Sequence, residues 1–238
     1  MFMPNTSRWI GIGLLGLPLY GALTFFSSLE GQPDPSTHYE AWSRFVTTNE
    51  YVVGHVFGSI LGLIFAIFGV FALGVYLATS RAGRLGLVGM VMSVFGNALF
   101  LPLQGISTFS APKEGQAYLA GIEQYAKLPS IFADTMFGLT GLLFFLLAFV
   151  GNILLGVAVW RSGTLPRWAG ALWAAANVLM YMSLVYGSTI GPASTPLTVP
   201  LGAVVVMISG AWMAWNVLSR PSAAQGGVGT ASAQPRVR

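Results

Sequence analysis

The chain has 238 residues, of which 55% are hydrophobic and only 8% are charged. An ordinary soluble domain has about 25% charged residues. The composition therefore excludes a soluble globular protein and is typical of a multi-pass helical membrane protein, in which small and aromatic residues are frequent. Because one membrane-crossing helix needs about 20 apolar residues, the length accommodates roughly six crossings and no second folded domain.

Residue counts also exclude several kinds of chemistry. The sequence contains no Cys, so it lacks a thiol nucleophile and the thiolate ligands of zinc and iron–sulfur sites. Its two histidines, His38 and His55, are too few for the multi-histidine sites of membrane di-iron enzymes. We therefore expect no metal site and no cofactor. The net charge of +4 does not indicate a nucleic-acid partner, because the basic residues flank apolar spans instead of forming a patch.

Apolar spans can be delimited from one charged residue to the next. Six are predicted, at residues 9–29, 51–79, 85–109, 129–160, 167–187 and 197–219. The first is longer than the apolar core of a signal peptide, roughly 7–15 residues, and no small-residue cleavage site follows it. We expect it to remain as a helix. The Gly- and Pro-rich stretch 187–200 is interpreted as the last outer loop and the start of the sixth helix.

The charged residues divide between the two sides of this predicted bundle. The N-terminus, the turns after the second and fourth spans and the C-terminal tail hold eight Arg and no acid, whereas all seven acids lie on the opposite side. The positive-inside rule places both termini in the cytoplasm and the longer loops, 30–50 and 110–129, outside. The prediction is an all-α integral membrane protein with one six-helix transmembrane domain over residues 1–220 and a disordered cytoplasmic tail over 221–238.

Each long outer loop is predicted to contain a short helix in the membrane interface. The first loop has a T-x-x-E capping box at residues 37–40, followed by side chains at helical spacing: Tyr39, Trp42, Phe45 and Val46. The second loop carries a similar stripe between its two lysines: Tyr118, Leu119, Ile122, Tyr125 and Ala126. We expect the aromatic faces of both helices to point toward the membrane.

Two sets of residues within the spans have competing interpretations. Gly54, Gly58 and Gly62 share one helix face, which fits either a homo-oligomer seam or close packing inside the bundle. Asn97, Asn152 and Asn177 lie within three different spans, where unbonded amides are costly, so they should face the interior. These amides fit either interhelical hydrogen bonds or a polar transport route. No charged residue lies at the centre of a span, which argues against an ion-coupled transporter.

The residues capable of chemistry lie near the outer face. His55 and Asp134 occur at similar depths in the second and fourth spans, where they would meet if those helices were neighbours. A His–carboxylate pair can transfer protons or can be a purely structural hydrogen bond. The candidate catalytic residues are His55, Asp134 and Glu50. The candidate ligand-binding residues are Tyr51, Ser59, His38, Trp42, Asn97 and Asn177, with the helix around His38 and Trp42 expected to cover the pocket.

The fourth and fifth spans are joined by an Arg- and Trp-containing turn. Its sequence from Arg161 to Trp173, RSGTLPRWAGALW, resembles the R-S-G-x-L-P-R-W-x-G turn of small bacterial multi-pass membrane proteins that are grouped as domains of unknown function. The resemblance implies a protein of the bacterial plasma (inner) membrane. It covers 13 of the 238 residues and implies no catalytic residue.

Three functions remain open from the sequence. The leading hypothesis is a non-enzymatic membrane protein that binds an apolar ligand or a partner helix, as a sensor or accessory subunit. The alternative is an enzyme that acts on a lipid or isoprenoid at the outer leaflet through His55 and Asp134. The third is a small-molecule transporter. The surrounding lipid bilayer is the one partner that the composition itself implies.

Overall fold

Residues 4–29, 31–124, 135–186 and 196–220 are described by a computed structural model, and all regular structure within these ranges is helical. The elements are α1 (Pro4–Leu14), α2 (Gly16–Ser27), α3 (Tyr39–Val46), α4 (Asn49–Val53), a π-helix (Gly54–Leu61), α5 (Gly62–Ala78), α6 (Gly83–Phe109), α7 (Ala111–Leu119), α8 (Thr135–Ser162), α9 (Arg167–Tyr186) and α10 (Thr198–Leu218). The predicted tail 221–238 and the candidate site residue Asp134 lie outside the described ranges.

The chain is a multi-pass helical membrane protein, as its composition predicted. Five stretches of the described residues are long and apolar enough to cross a membrane: Thr6–Ser27, Asn49–Ala78, Gly83–Leu119, Thr135–Ser162 and Thr198–Leu218. Each of them overlaps a span predicted from the sequence. The remaining predicted span, 167–187, corresponds to α9, a helix of 20 residues that packs against both α8 and α10.

Two of the long spans depart from regular α-helix. In the first, Pro18 has no backbone N–H, so the carbonyl of Leu14 loses its usual donor. The helix is interrupted there, and the N–H of Leu15 bonds to the carbonyl of Ile12 at 3.0 Å. In the second, Gly54–Leu61 forms a π-helix, whose wider turn is rare and is frequently found at functional sites.

Glycines let neighbouring helix backbones touch. A Cβ added to Gly151 of α8 would lie 2.5 Å from the backbone nitrogen of Ser93 and 2.9 Å from the carbonyl oxygen of Gly89, both on α6. A Cβ added to Gly96 would lie 2.5 Å from the backbone nitrogen of Ala148. Such contacts allow the close dispersion packing on which association of membrane helices depends.

The glycine stripe of the second span also packs within the chain. A Cβ on Gly58 would lie 2.1 Å from the Cβ of Ser27 on α2, and one on Gly62 would lie 3.5 Å from the Cβ of Leu23. Around Gly54 there is open space, with no atom within 4 Å. α2 thus covers the face of Gly58 and Gly62, so these two glycines serve close packing inside the bundle. The alternative prediction, an oligomer seam through all three glycines, is wrong for these two positions.

Arginine side chains tie the helix turns together at one end of the bundle. Arg220, which follows α10, donates hydrogen bonds to the hydroxyl of Tyr76 at 2.8 Å and to the carbonyl of Thr164. The guanidinium of Arg81 lies against Gly163 of the turn between α8 and α9. The two basic turns and the start of the C-terminal segment are thus neighbours, as the predicted charge sorting requires.

The helix predicted in the first outer loop is present, but its cap and its environment differ from expectation. The residue preceding α3 is His38, which makes no side-chain capping bond, while the hydroxyl of Thr37 contacts the Nδ1 atom of His38 at 2.8 Å. The T-x-x-E capping box is therefore wrong. The aromatic face packs on α7 instead of the membrane, with the rings of Tyr39 and Tyr118 centred 4.8 Å apart.

The helix predicted in the second outer loop lies earlier in the chain than expected. It is α7, and it ends at Leu119, before most of the predicted stripe. Gly121 has a φ of +92°, a left-handed conformation that an α-helix does not contain. The last residues of the stripe, 125 and 126, lie outside the described ranges.

The contact between α6 and α8 can be tested with two glycines that have opposite surroundings. We expect Gly151→Ala to lower the free energy of unfolding by about 1–3 kcal/mol, because the new methyl group meets backbone atoms that cannot move aside. Gly105→Ala on α6 is the matched control, since nothing lies within 4 Å of its Cβ position. It should leave stability unchanged or raise it by up to about 1 kcal/mol through helix propensity. Unfolding in detergent, followed by circular dichroism, measures both, and equal stability of the two variants would contradict the packing described.

Candidate ligand-binding site

A pocket of about 450 Å³ opens at the end of the bundle opposite the Arg-rich turns. We call it the outer pocket. Its walls come from the C-terminal part of α2, from α4 and from the π-helix. Its polar side chains are Thr24, Ser27, Ser28, Gln32, Glu50, Tyr51, His55 and Ser59. Three of the eight, Glu50, Tyr51 and His55, come from one short stretch of the second span.

Tyr51 positions this stretch. Thr48 caps the start of α4, and its side-chain oxygen accepts a hydrogen bond from the backbone N–H of Tyr51 at 3.2 Å. The Tyr51 hydroxyl donates to the carbonyl of Ser107 on α6 at 2.9 Å, and its side chain is almost fully buried. The bond joins residues 56 positions apart in the sequence and fixes the start of the second span against α6.

The ring of His55 is oriented by the same tyrosine. The two rings are centred 4.0 Å apart, and the Nδ1 atom of His55 lies 3.0 Å from the backbone carbonyl of Tyr51. Because a carbonyl oxygen only accepts, Nδ1 carries the proton of this bond and Nε2 is the basic nitrogen of the neutral ring. The exposed carboxylate of Glu50 lines the same pocket. The structure therefore brings Glu50, Tyr51, His55 and Ser59 together, whereas the predicted pairing of His55 with Asp134 stays a prediction.

A second space, which we call the inner cavity, lies deeper among the helices and has a volume of about 200 Å³. It is lined by residues of α2, the π-helix, α5, α6, α8, α9 and α10. Polar groups from several of these helices line it: Tyr20, Thr24, Ser27, Ser59, Asn97, Gln104, Tyr181 and Ser183. Apolar side chains complete its wall: Leu63, Phe100, Phe144, Met180 and Val199. The lining suits a ligand that is mainly apolar and has a few groups able to form hydrogen bonds.

The outer pocket and the inner cavity adjoin. Five residues line both: Thr24, Ser27, Gly58, Ser59 and Val199. We refer to this shared boundary as the neck. The contact between Gly58 and Ser27 that holds α2 against the π-helix is part of it.

A third space, the side groove, lies between α6 and the first half of α8 and has a volume of about 580 Å³. Its lining is mainly apolar, with Gln104 and Ser107 as the polar side chains. Phe100, Gln104 and Phe144 line both this groove and the inner cavity, and the two phenylalanine rings stack with centroids 4.1 Å apart. A stacked aromatic pair therefore lies at the boundary between the groove and the inner cavity.

Three of the predicted binding residues lie elsewhere. His38 is exposed, and Trp42 is buried in a cluster with Val46 and Tyr51, so neither belongs to the lining of the outer pocket. Phe45 lines the pocket in their place. Asn177 is buried outside the lining of all three spaces, whereas Asn97 lines the inner cavity.

The three asparagines are buried, as predicted, but each donates a hydrogen bond within its own helix. The acceptors are the carbonyls four residues earlier: Ser93 at 2.8 Å for Asn97, Ala148 at 2.9 Å for Asn152 and Trp173 at 2.8 Å for Asn177. None of these three bonds joins two helices, contrary to the interhelical interpretation. A carbonyl on the preceding turn is always within reach, so it can satisfy an amide without a contribution from a second helix.

The polar groups of α2 in the inner cavity were not identified from the sequence. Tyr20, Thr24 and Ser27 follow at i, i+4 and i+7, a polar stripe on one face of an otherwise apolar span. Asn97 and Gln104 are spaced in the same way, seven residues apart on α6. This periodicity is the signal that could have found them.

Comparisons of the chain with family models, curated proteins and solved structures found no match. Among the described residues there is no group of three or more His, Asp or Glu side chains arranged to hold a metal ion. The interpretation of the site therefore depends on its geometry.

The bond from Tyr51 to α6 can be tested by removing one oxygen atom. We expect Tyr51→Phe to lower the free energy of unfolding by about 1 kcal/mol, because the carbonyl of Ser107 loses its hydrogen-bond donor while the ring remains in place. Tyr118→Phe is the control, since the Tyr118 ring contacts Tyr39 without a comparable bond from its hydroxyl to the described residues. Denaturant titration in detergent measures both variants. If they are equally stable, the hydroxyl of Tyr51 does not hold the second span in place.

Proposed function

We propose that this chain is a non-enzymatic plasma-membrane protein that binds one lipid-like ligand in the outer pocket and the inner cavity, as a sensor or accessory subunit. The observation that carries the proposal is the continuity of the three spaces. The outer pocket contains the carboxylate of Glu50 and the imidazole of His55, the adjoining inner cavity contains uncharged polar groups among apolar side chains, and the side groove next to that cavity is mainly apolar. An amphipathic molecule has the same order of polarity along its length.

The proposal includes six crossings with both termini in the cytoplasm. α9 supports it, because a helix of 20 residues is about 30 Å long and matches the hydrocarbon thickness. The gathering of Arg81 and Arg220 at one end supports a cytoplasmic position of that end. The short resemblance at Arg161–Trp173 adds a bacterial plasma membrane as the location.

The lining selects the chemistry of the ligand head. No Lys or Arg is among the described residues that line the three spaces, and the outer pocket contains the carboxylate of Glu50. An anionic head would be repelled there and would lack a positive partner. Hydroxyl, amide and imidazole groups instead suit a head that is uncharged or cationic and can form hydrogen bonds. We therefore propose a neutral or cationic amphiphile with an acyl or isoprenoid chain.

The side groove supports entry of such a ligand from the bilayer. Gly138 of α8 lines the groove with no atom within 4 Å of its Cβ position, and a Cβ on Gly141 would lie 3.9 Å from Leu103 of α6. The two helices therefore pack less closely here than at Gly151. A hydrocarbon chain that fills the groove reaches the aromatic pair Phe100 and Phe144, behind which the inner cavity begins. The ligand could thus enter without its chain crossing water.

The proposed site can be tested by photo-crosslinking in membranes. The probe is a monoacylglycerol with a diazirine in its acyl chain, and we expect it to label peptides of α2, the π-helix and α6. Ser59→Trp and Val199→Trp each place an indole at the neck, from two different helices, and should reduce this labelling several-fold. Val91→Trp is the control, because Val91 is 53% exposed and lines none of the three spaces. Equal labelling in all three variants would overturn the proposal.

A second candidate function is an enzyme that acts on a lipid or isoprenoid at the outer face. It is favoured by one observation, which is that the carboxylate of Glu50 and the imidazole of His55 line the same pocket. In vesicles of bacterial lipid extract, the binding proposal predicts that the purified protein leaves the lipid composition unchanged, as measured by mass spectrometry. A product formed by the wild type and lost in both His55→Asn and Glu50→Gln, with folded yield retained, would instead establish the enzyme.

A further inference from the structure

The Arg-rich end of the bundle carries an exposed aromatic and basic surface. Trp160 lies near the end of α8 and Trp168 near the start of α9, and their rings meet edge to face with centroids 5.2 Å apart. The guanidinium carbon of Arg167 lies 5.7 Å from the centroid of each ring. The two indoles are 42% and 56% exposed, so this cluster faces the surroundings of the protein.

The turn beneath the cluster is closely defined by the local sequence. The side-chain oxygen of Ser162 accepts hydrogen bonds from the backbone N–H groups of Thr164 at 3.1 Å and Leu165 at 3.2 Å. Gly163 adopts a φ of +69°, which favours glycine. Arg161 and Arg167 are therefore held at the adjoining ends of two packed helices.

Arginines at this end have two different roles. Arg81 and Arg220 contact other parts of the protein, as described above. Arg161 and Arg167, in contrast, are exposed and form no hydrogen bond or ion pair with any described residue. Among the described residues, the ion pair Arg44–Glu40 lies on α3, which belongs to the opposite end. The charges of Arg161 and Arg167 are thus not neutralised within the described part of the protein.

The cation–π contact of Arg167 with the two indoles occupies none of its N–H groups in a hydrogen bond. The N–H groups at its edge remain able to donate, and a guanidinium edge matches two oxygens of a phosphate. Exposed tryptophans at the end of a membrane span lie at the depth of lipid headgroups. The oxygen-rich anions at this depth are the phosphate groups of the phospholipids.

We propose that Arg161, Arg167, Trp160 and Trp168 form a binding site for one anionic phospholipid of the surrounding leaflet. The two arginines bind the phosphate of its headgroup, and the indoles contact its glycerol and the first part of its acyl chains. The site is separate from the outer pocket, because it lies at the other end of the bundle and selects the opposite charge. It does not depend on the function proposed above.

The test is a native mass spectrometry titration of the full-length protein in detergent with phosphatidylglycerol and with phosphatidylcholine of the same chains. We expect the wild type to prefer phosphatidylglycerol. Arg161→Gln/Arg167→Gln should weaken binding of phosphatidylglycerol about thirty-fold, since each arginine near a membrane surface contributes about five-fold. Arg44→Gln/Lys113→Gln is the control, because it removes two exposed positive charges from the opposite end. Thermal unfolding of both double variants verifies that they fold.

Several outcomes would overturn this site. The first is equal binding of the two lipids to the wild type, and the second is equal loss in both double variants, which would indicate a non-specific effect of charge. Displacement of the lipid by an equal concentration of inorganic phosphate would indicate a site for a soluble anion instead. Trp160→Leu/Trp168→Leu keeps both arginines and should weaken binding of both lipids, because their glycerol and acyl chains are the same. If it weakens neither, the indoles do not belong to the site.

Discussion

Polar groups inside the hydrocarbon region of a membrane must find their partners within the protein, and this constraint shapes the whole fold. It is met first by the backbone, because all regular structure of the described residues is helical. The buried amides of Asn97, Asn152 and Asn177 meet it by bonding to the preceding turn of their own helices. Further hydroxyl and amide groups line the inner cavity, and among them Ser27 and Ser183 donate to carbonyls of their own helices. They are gathered around one space, where a ligand or water can add further hydrogen bonds.

The positions of the glycines determine where the helices around the inner cavity touch and where they leave openings. α6 and α8 touch through Gly89, Gly96 and Gly151, whose missing side chains let the two backbones meet. In the first half of α8 the same two helices pack less closely, and the side groove lies there. A single helix pair is thus closed along one part and open along another. The same principle holds α2 against the π-helix at Gly58 and leaves the neck between the outer pocket and the inner cavity.

The two ends of the bundle differ in charge, and the difference gives them different chemistry. At one end a carboxylate and an imidazole lie beside a pocket whose described lining contains no Lys or Arg. At the other end, arginines tie the turns together and two of them face outward beside exposed indoles. The asymmetry that orients an inserted helix also makes one end suitable for neutral or cationic groups and the other for phosphate.

Much of the architecture could be predicted from the sequence, because the spans and the separation of charge are properties of contiguous segments. The positions of the long helices, the helix at Tyr39–Val46 and the burial of the asparagines all follow from hydropathy and local spacing. The partners of these residues do not. Periodicity shows that Tyr20 and Thr24 share a polar face, but only the packing of the helices around them determines that this face meets Ser59 and Tyr181 across a cavity. Likewise, the helix around His38 and Trp42 is expected from the sequence to cover the pocket, whereas in the structure it packs on α7. A sequence defines the faces of each helix through local geometry, whereas the neighbour of each face depends on contacts between distant segments, which only the tertiary structure decides.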